Sequence, residues 1–146
     1  MKIIFVCLGN ICRSPMAEFV MKDLLVRQKK SDQFIIESRA TSNWEHGNPV
    51  HQGTLKILRK YNITVDETKR SQQITVDDFV KADKIIAMDS SNLTDLSNLA
   101  PENMQQKITM LLEQSVPDPW YTNDFEQTYQ LVKAGCERLL SEISEQ

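Results

Sequence analysis

Cysteine and histidine are scarce in this sequence, with three of the first and two of the second among 146 residues. An odd number of cysteines is poor material for a disulfide framework, so free thiols in a reducing compartment, the cytoplasm, are the expectation. Cys7 and Cys12 have no second ligand pair with which to close a tetrahedral zinc site. His46 and His51 fall in a polar loop and at a helix start, where they read as surface residues rather than partners of a catalytic thiol. No apolar run approaches the roughly 18 residues that a membrane span needs, which argues against insertion in a bilayer. "MKIIFVCLGN" lacks the long apolar region and small-residue cleavage site of a signal peptide and reads as a first strand. Positive charge is not in excess either. Seventeen Lys and Arg against 20 Asp and Glu leave a formal net charge of -3, which argues against nucleic acid as the main partner. Repeats, low-complexity tracts and Gly/Ser linkers are missing. The chain reads as one domain, 1–146, large enough to bury about 68–70% of its unfolded surface in one core.

What is present is an alternation of strand and helix patterns. "KIIFVC" (2–7) is a continuous β-branched and aromatic run, as in a strand buried on both faces. Ser14 and Pro15 read as the N-cap and first residue of a helix, because proline's missing N–H costs nothing there. Met16, Phe19, Val20, Leu24 and Leu25 supply its apolar stripe, which runs to about Lys29. "FIIES" (34–38) is a second strand, and Asn48-Pro49 predicts the opening of a helix that carries Val50, Thr54, Ile57, Leu58 and Tyr61. The amphipathic "TVDDFVKA" leads into a third strand, "DKIIAMD" (83–89), followed by a short helix near "SNLTDL". "KITMLL" (107–112) reads as a fourth strand, although a helix could use the same residues. Asp124 with Gln127 resembles a capping box. Phe125, Tyr129, Val132, Cys136, Leu139 and Ile143 then form the stripe of a long terminal helix, with Cys136 simply core. The expected class is α/β, in three layers: a four-stranded parallel sheet with helices on both faces. Ligands of such sheets bind beyond the carboxyl ends of the strands, at the switch point, and Cys7 to Arg13 lies there.

That segment, "CLGNICRS", reads as an anion cradle. A loop between a strand and a helix N-terminus turns several backbone N–H groups toward one point, and the helix dipole adds its positive end. Gly9 and Asn10 tolerate the left-handed backbone that a tight concave loop requires. Arg13 can grip two phosphate oxygens with its planar fork. The same field favours the thiolate of Cys7, and the Ser14 hydroxyl can donate to that sulfur. A second feature is Asp118 in "VPDPWY" (116–121), where flanking prolines fix the direction of one carboxylate.

"VCLGNICRSPMAE" resembles the phosphate loop of the low-molecular-weight protein tyrosine phosphatases, C-x5-R-S with its interior filled in. "NPV" after the second strand, "MDSSNLTDL" after the third and "VPDPWY" before the last helix extend the resemblance over nearly the whole chain. It implies a flavodoxin-like fold of the phosphatase I type and cofactor-free hydrolysis of phosphotyrosine and aryl phosphate monoesters through a phosphocysteine. Cys7 would be the nucleophile, Arg13 the phosphate clamp and Asp118 the general acid. Leu8, Gly9, Asn10, Ile11, Cys12, Arg13 and Ser14 would surround the phosphate. Asn10 would hold the loop's shape, with Ser14 and Ser38 in support. Trp44, Trp120 and Tyr121 match the aromatic walls that admit a phenyl ring. Cys12 matches a second cysteine able to form a disulfide with the nucleophile and halt its oxidation. The implied partners are a phosphotyrosine protein or small aryl phosphate, with inorganic phosphate as product, and the expected state is a monomer. One departure stands out. Where many relatives have H-x-[SA]-R-Q, with the histidine helping to orient the loop asparagine, this chain has "KRSQQ" (69–73). Lys69 takes the histidine's place, shifting support of Asn10 toward Ser38.

Three alternatives share the loop. A phosphoarginine phosphatase is associated with threonine where this chain has Ile11. An arsenate reductase of the thioredoxin-linked branch needs two further cysteines, and only Cys136 remains. A non-catalytic phosphotyrosine-binding module is hard to reconcile with intact Cys7, Arg13 and Asp118.

Overall fold

β1 (Lys2–Cys7) is the central element, and its last five residues are all buried. The computed structural model describes residues 1–144. After β1 come α1 (Arg13–Arg27), β2 (Ile35–Ala40), α2 (Gln52–Lys60), α3 (Val76–Lys81), β3 (Lys84–Ala87), α4 (Ser90–Leu99), β4 (Ile108–Met110), α5 (Pro119–Thr122) and α6 (Phe125–Ser144). The strands form one parallel sheet in the order β2-β1-β3-β4. Side chains alternate across β1, so it serves two cores. Ile3, Phe5 and Cys7 face α1, α2 and α6, where they join Phe19, Leu58, Val132 and Cys136. Ile4 and Val6 face α3 and α4, where they join Phe79 and Leu96. Burying each such side chain contributes about 1.5–3 kcal/mol, and burial on both faces explains why β1 reads as an unbroken apolar run.

The ends of the elements differ from the sequence reading in ways that matter for the site. α1 begins at Arg13, with Cys12 in the cap position and no side-chain cap bond. Ser14 is therefore inside the helix, and its hydroxyl is free for the loop. Pro15 is still within the first turn, where its absent N–H breaks no helical bond. β2 runs on to Ala40, because Arg39 and Ala40 pair with Val6 and Cys7. β3 stops at Ala87, and Asp89 caps α4 instead of extending the strand, its Oδ1 accepting from Asn92 N–H at 2.7 Å. Asn48-Pro49 does not open α2. It is held against the 70–71 segment, where Ser71 N–H donates to Asn48 O at 2.9 Å and Pro49 bridges Arg70. The helix starts at Gln52 under His51, whose Nδ1 accepts from Gly53 N–H at 3.0 Å. β4 keeps only three residues of its expected run. No helix among the described residues is long and apolar enough to cross a membrane.

Candidate active site

The loop leaves β1 exactly between its two neighbours, at the point where β2 lies on one side and β3 on the other. Asn10 takes the left-handed conformation, φ 56°, and its N–H donates to Cys7 Sγ at 3.3 Å. Ser14 Oγ lies 3.1 Å from the same sulfur. The outer side of the loop is tied down by Ser71 Oγ donating to Gly9 O at 2.8 Å and His51 N–H donating to Ile11 O at 2.8 Å.

Behind the loop a chain of hydrogen bonds fixes the direction of each proton. Asn10 Nδ2 donates to Ser14 Oγ at 2.8 Å and to Ser38 Oγ at 3.0 Å, while its Oδ1 accepts from Gln72 N–H at 3.1 Å. Ser38 gives its single proton to Glu18 Oε1 at 2.6 Å. Ser14, already an acceptor from Asn10, has its own proton available for the thiolate of Cys7, with Arg39 O at 3.3 Å as the other acceptor in reach. Glu18 is buried and held by Lys22 at 2.7 Å and Lys69 at 3.4 Å. Lys69 Nζ also donates to Ser38 O at 2.9 Å. Burial draws Lys69 below the usual lysine range, against the opposing pull of Glu18. Ser38 thus contacts Asn10 directly, and Lys69 reaches the loop through Glu18.

Arg13 is buried at 2% exposure, and Nη1 makes both of its hydrogen bonds. Nη1 donates to Asp89 Oδ2 at 2.6 Å and to Val116 O at 2.8 Å, and Nη2 stands 3.5 Å from Asp118 Oδ2. Burial works against its charge, but Cys7, Asp89 and Asp118 outweigh that and raise it above the ordinary arginine value. Asp118 caps α5, its Oδ1 accepting from Trp120 N–H at 3.0 Å, so Oδ2 is the oxygen left toward Arg13. Cys12 is pushed up to about 12, first by burial and then by the charges of Cys7 and Asp118.

Cys7, Leu8, Gly9, Ile11, Cys12, Arg13, Trp44, Asp118, Trp120 and Tyr121 line one cleft, which brings these sequence-selected residues together. Asn10, Ser14 and Ser38 lie buried behind it. Glu45 lines the cleft as well and was not singled out in the sequence. Asp89 and Glu18 were also missed. Asp89 carries a local signal, an acid at a strand end before Ser-Ser-Asn; Glu18 carries none beyond its place four residues after Ser14. His51 is no simple surface residue. Its ring stacks on Phe125 with centroids 5.2 Å apart and meets Trp120 edge-on at 5.7 Å.

Fold and cleft together define an α/β protein with a thiol and an arginine in one cleft at the end of its central strand. The profile of the low molecular weight phosphotyrosine protein phosphatases matches residues 2–146, and the chain belongs to that family. It is 45% identical over 145 residues to the low molecular weight protein-tyrosine-phosphatase PtpA of Staphylococcus epidermidis, covering 95% of this chain and 91% of that one. Among solved structures it is similar to the low molecular weight protein tyrosine phosphatase SP-PTP of Streptococcus pyogenes. The two are 57% identical with a TM-score of 0.92, over 97% of this chain and 91% of the other. YfkJ of Bacillus subtilis superposes with a TM-score of 0.95 at 39% identity, over 99% and 95% of the two chains.

Proposed function

We propose that the chain hydrolyses phosphotyrosine and other aryl phosphate monoesters through a phosphocysteine. One observation carries the reading: Asn10 N–H and Ser14 Oγ converge on Cys7 Sγ at 3.3 and 3.1 Å, in a cleft shared with Arg13 and Asp118. Donors aimed at sulfur stabilise a thiolate nucleophile and, later, a thiolate leaving group. Loop amides and Arg13 hold the phosphate's equatorial oxygens. Cys7 Sγ bonds to phosphorus as the bond from phosphorus to the phenol oxygen breaks. Asp118 delivers a proton to that oxygen from Oδ2, because Oδ1 is engaged by Trp120 N–H. Asp118, now a carboxylate, takes a proton from water as the water oxygen attacks phosphorus. The sulfur–phosphorus bond breaks, and inorganic phosphate leaves.

Trp44, Trp120 and Tyr121 stand exposed at the mouth and provide flat walls for a phenyl ring, with the depth that favours phosphotyrosine over phosphoserine. Ile11 supports an aryl phosphate over phosphoarginine. Cys136 is wholly buried, with its thiol 3.8 Å from Ala17 O, and is ill placed to relay electrons in an arsenate reductase. Peroxide would convert Cys7 to a sulfenic acid, which condenses with the Cys12 thiol to a disulfide and water, sparing Cys7 from further oxidation. We place the enzyme in the cytoplasm, as a monomer. The test is the leaving group. Cys7→Ser abolishes turnover. Asp118→Ala slows kcat/KM by about 10²–10⁴-fold for phosphotyrosine, and much less for p-nitrophenyl phosphate, whose phenol leaves without help. Equal losses on both substrates would assign the acid elsewhere.

A further inference from the structure

Beside the phosphate cleft runs a second groove that shares two of its walls. Leu8 and Trp44 line both, and Thr41, Ser42, Asp95, Asn98 and Leu99 complete the groove. Its field is negative. Asp95 is exposed on α4 and joins no ion pair among the described residues. α4 has no basic residue in its last turn, and its terminal carbonyls meet only a neutral donor, Gln105 Nε2, at 2.8 Å from Ser97 O and 3.0 Å from Ala100 O. Glu45 adds a carboxylate on the cleft side. Arg13 is the one Lys or Arg lining either hollow, and it is buried and bound by Asp89 and Val116 O. Acids at the mouth oppose a phosphate dianion unless the substrate brings positive charge beside it.

The groove also holds an unmatched polar group. Thr41 is 7% exposed. Its N–H donates to Cys7 O and its carbonyl accepts from Gln73 Nε2, but its buried Oγ1 has no partner among the described residues. Buried hydroxyls are rarely left so, and this one lies directly beneath the groove's lining.

We propose that this groove receives the polypeptide flanking the phosphotyrosine and selects substrates with a lysine or arginine within about two or three residues of it. The inference rests on the phosphotyrosine reading above and names the sequence around the reacting residue. The ring fills the cleft, the chain passes over Trp44, and each residue of extended backbone covers about 3.3 Å. Trp44, 75% exposed, offers a face to a guanidinium or an aliphatic stem. The cation then rests against the Asp95 carboxylate.

The test uses two phosphotyrosine peptides of equal length, one with arginines and one with glutamates beside the phosphotyrosine. At low ionic strength the enzyme prefers the arginine peptide about tenfold in kcat/KM, and the preference shrinks toward unity at about 0.5 M salt. Asp95→Lys brings the ratio to within about twofold, and Asn98→Lys, a second charge change on the same helix, shifts it in the same direction. Taking the ratio within each variant cancels any general loss of activity. Equal turnover of both peptides, a preference for glutamate, or an unchanged ratio in both lysine variants overturns the groove assignment and leaves the phosphatase reading standing. Failure of the parent to hydrolyse either peptide or p-nitrophenyl phosphate overturns the phosphatase reading itself, and the inference with it.

Discussion

Single side chains decide whether the thiol at Cys7 is surrounded by donors, and the least obvious of them is Lys69. It sits 3.4 Å from Glu18, which in turn fixes the Ser38 hydroxyl and so the amide of Asn10. Removing one member of a buried pair costs about 3–5 kcal/mol, but Lys22 still faces Glu18, so Lys69→Met is expected to cost about 2 kcal/mol. Its kcat is expected to fall further than that loss of stability alone explains, as the Ser38–Asn10 contact loosens. Urea midpoints and steady-state rates on one preparation check both. Cys12 gives a pH-dependent outcome. Its folded value is about 12 against an ordinary 9.0, so above 9.0 the unfolded chain loses a proton that the folded chain keeps. Stability therefore falls as pH rises from 9.0 toward 12, by roughly 1.4 kcal/mol per pH unit at most. Cys12→Ser is expected to flatten that decline, read from urea midpoints at successive alkaline pH values. Cys7, Arg13 and Asp118, which line one cleft, were legible as candidates because they sit in compact local patterns. Asp89 was not, since its bond to Arg13 spans 76 positions and only the folded sheet edge brings the two together.

At the level of elements, the strands were legible wherever both faces are buried; of the local helix signals, Asp124 does accept from Gln127 N–H at 2.9 Å ahead of α6, whereas Ser14-Pro15 placed the start of α1 two residues late. Thr75 and Asp78 form a reciprocal capping box at α3. The opening of α2 was misread because the partners that keep Asn48-Pro49 extended, Arg70 and Ser71, lie far along the chain. The true start of α2 has a consequence for the cleft. A Cβ on Gly53 would fall 2.3–2.6 Å from atoms of the Phe125 ring at the head of α6. That ring stacks on His51, which meets Trp120. Gly53→Ala is expected to destabilise the protein, because overpacking costs about 1–3 kcal/mol against at most about 1 kcal/mol of helix propensity gained. The displaced Phe125 is expected to disturb the Trp120 wall, raising KM for aryl phosphates about three- to fivefold with kcat nearly unchanged. A fall in kcat with KM unchanged would mean that the disturbance reaches the loop through His51 and Ile11 instead.

For the whole molecule, the strand order β2-β1-β3-β4 places the cradle at the one edge position flanked by connections running to both sides. Ligand binding and folding are therefore linked. Inorganic phosphate at 100 times its Kd is expected to add about 2.7 kcal/mol, or about 8 °C in Tm. Arg13→Met is expected to lose that shift, and chelators to leave it unchanged; scanning calorimetry with and without phosphate reads each. The same topology also sets an order of assembly during synthesis. Cys7 and Arg13 are made early relative to their partners: Arg13 is positioned by the carbonyl of Val116, 103 residues later, and Asp118 comes later still. α6, which packs on α1, is the last described element of all. Translation thus delivers Cys7 well before the distant groups that meet it in the cleft. A nascent chain carries Cys7 unaccompanied until Val116 and Asp118 have followed it, and a product of premature termination before Asp118 has the loop but lacks the carboxylate that shares its cleft.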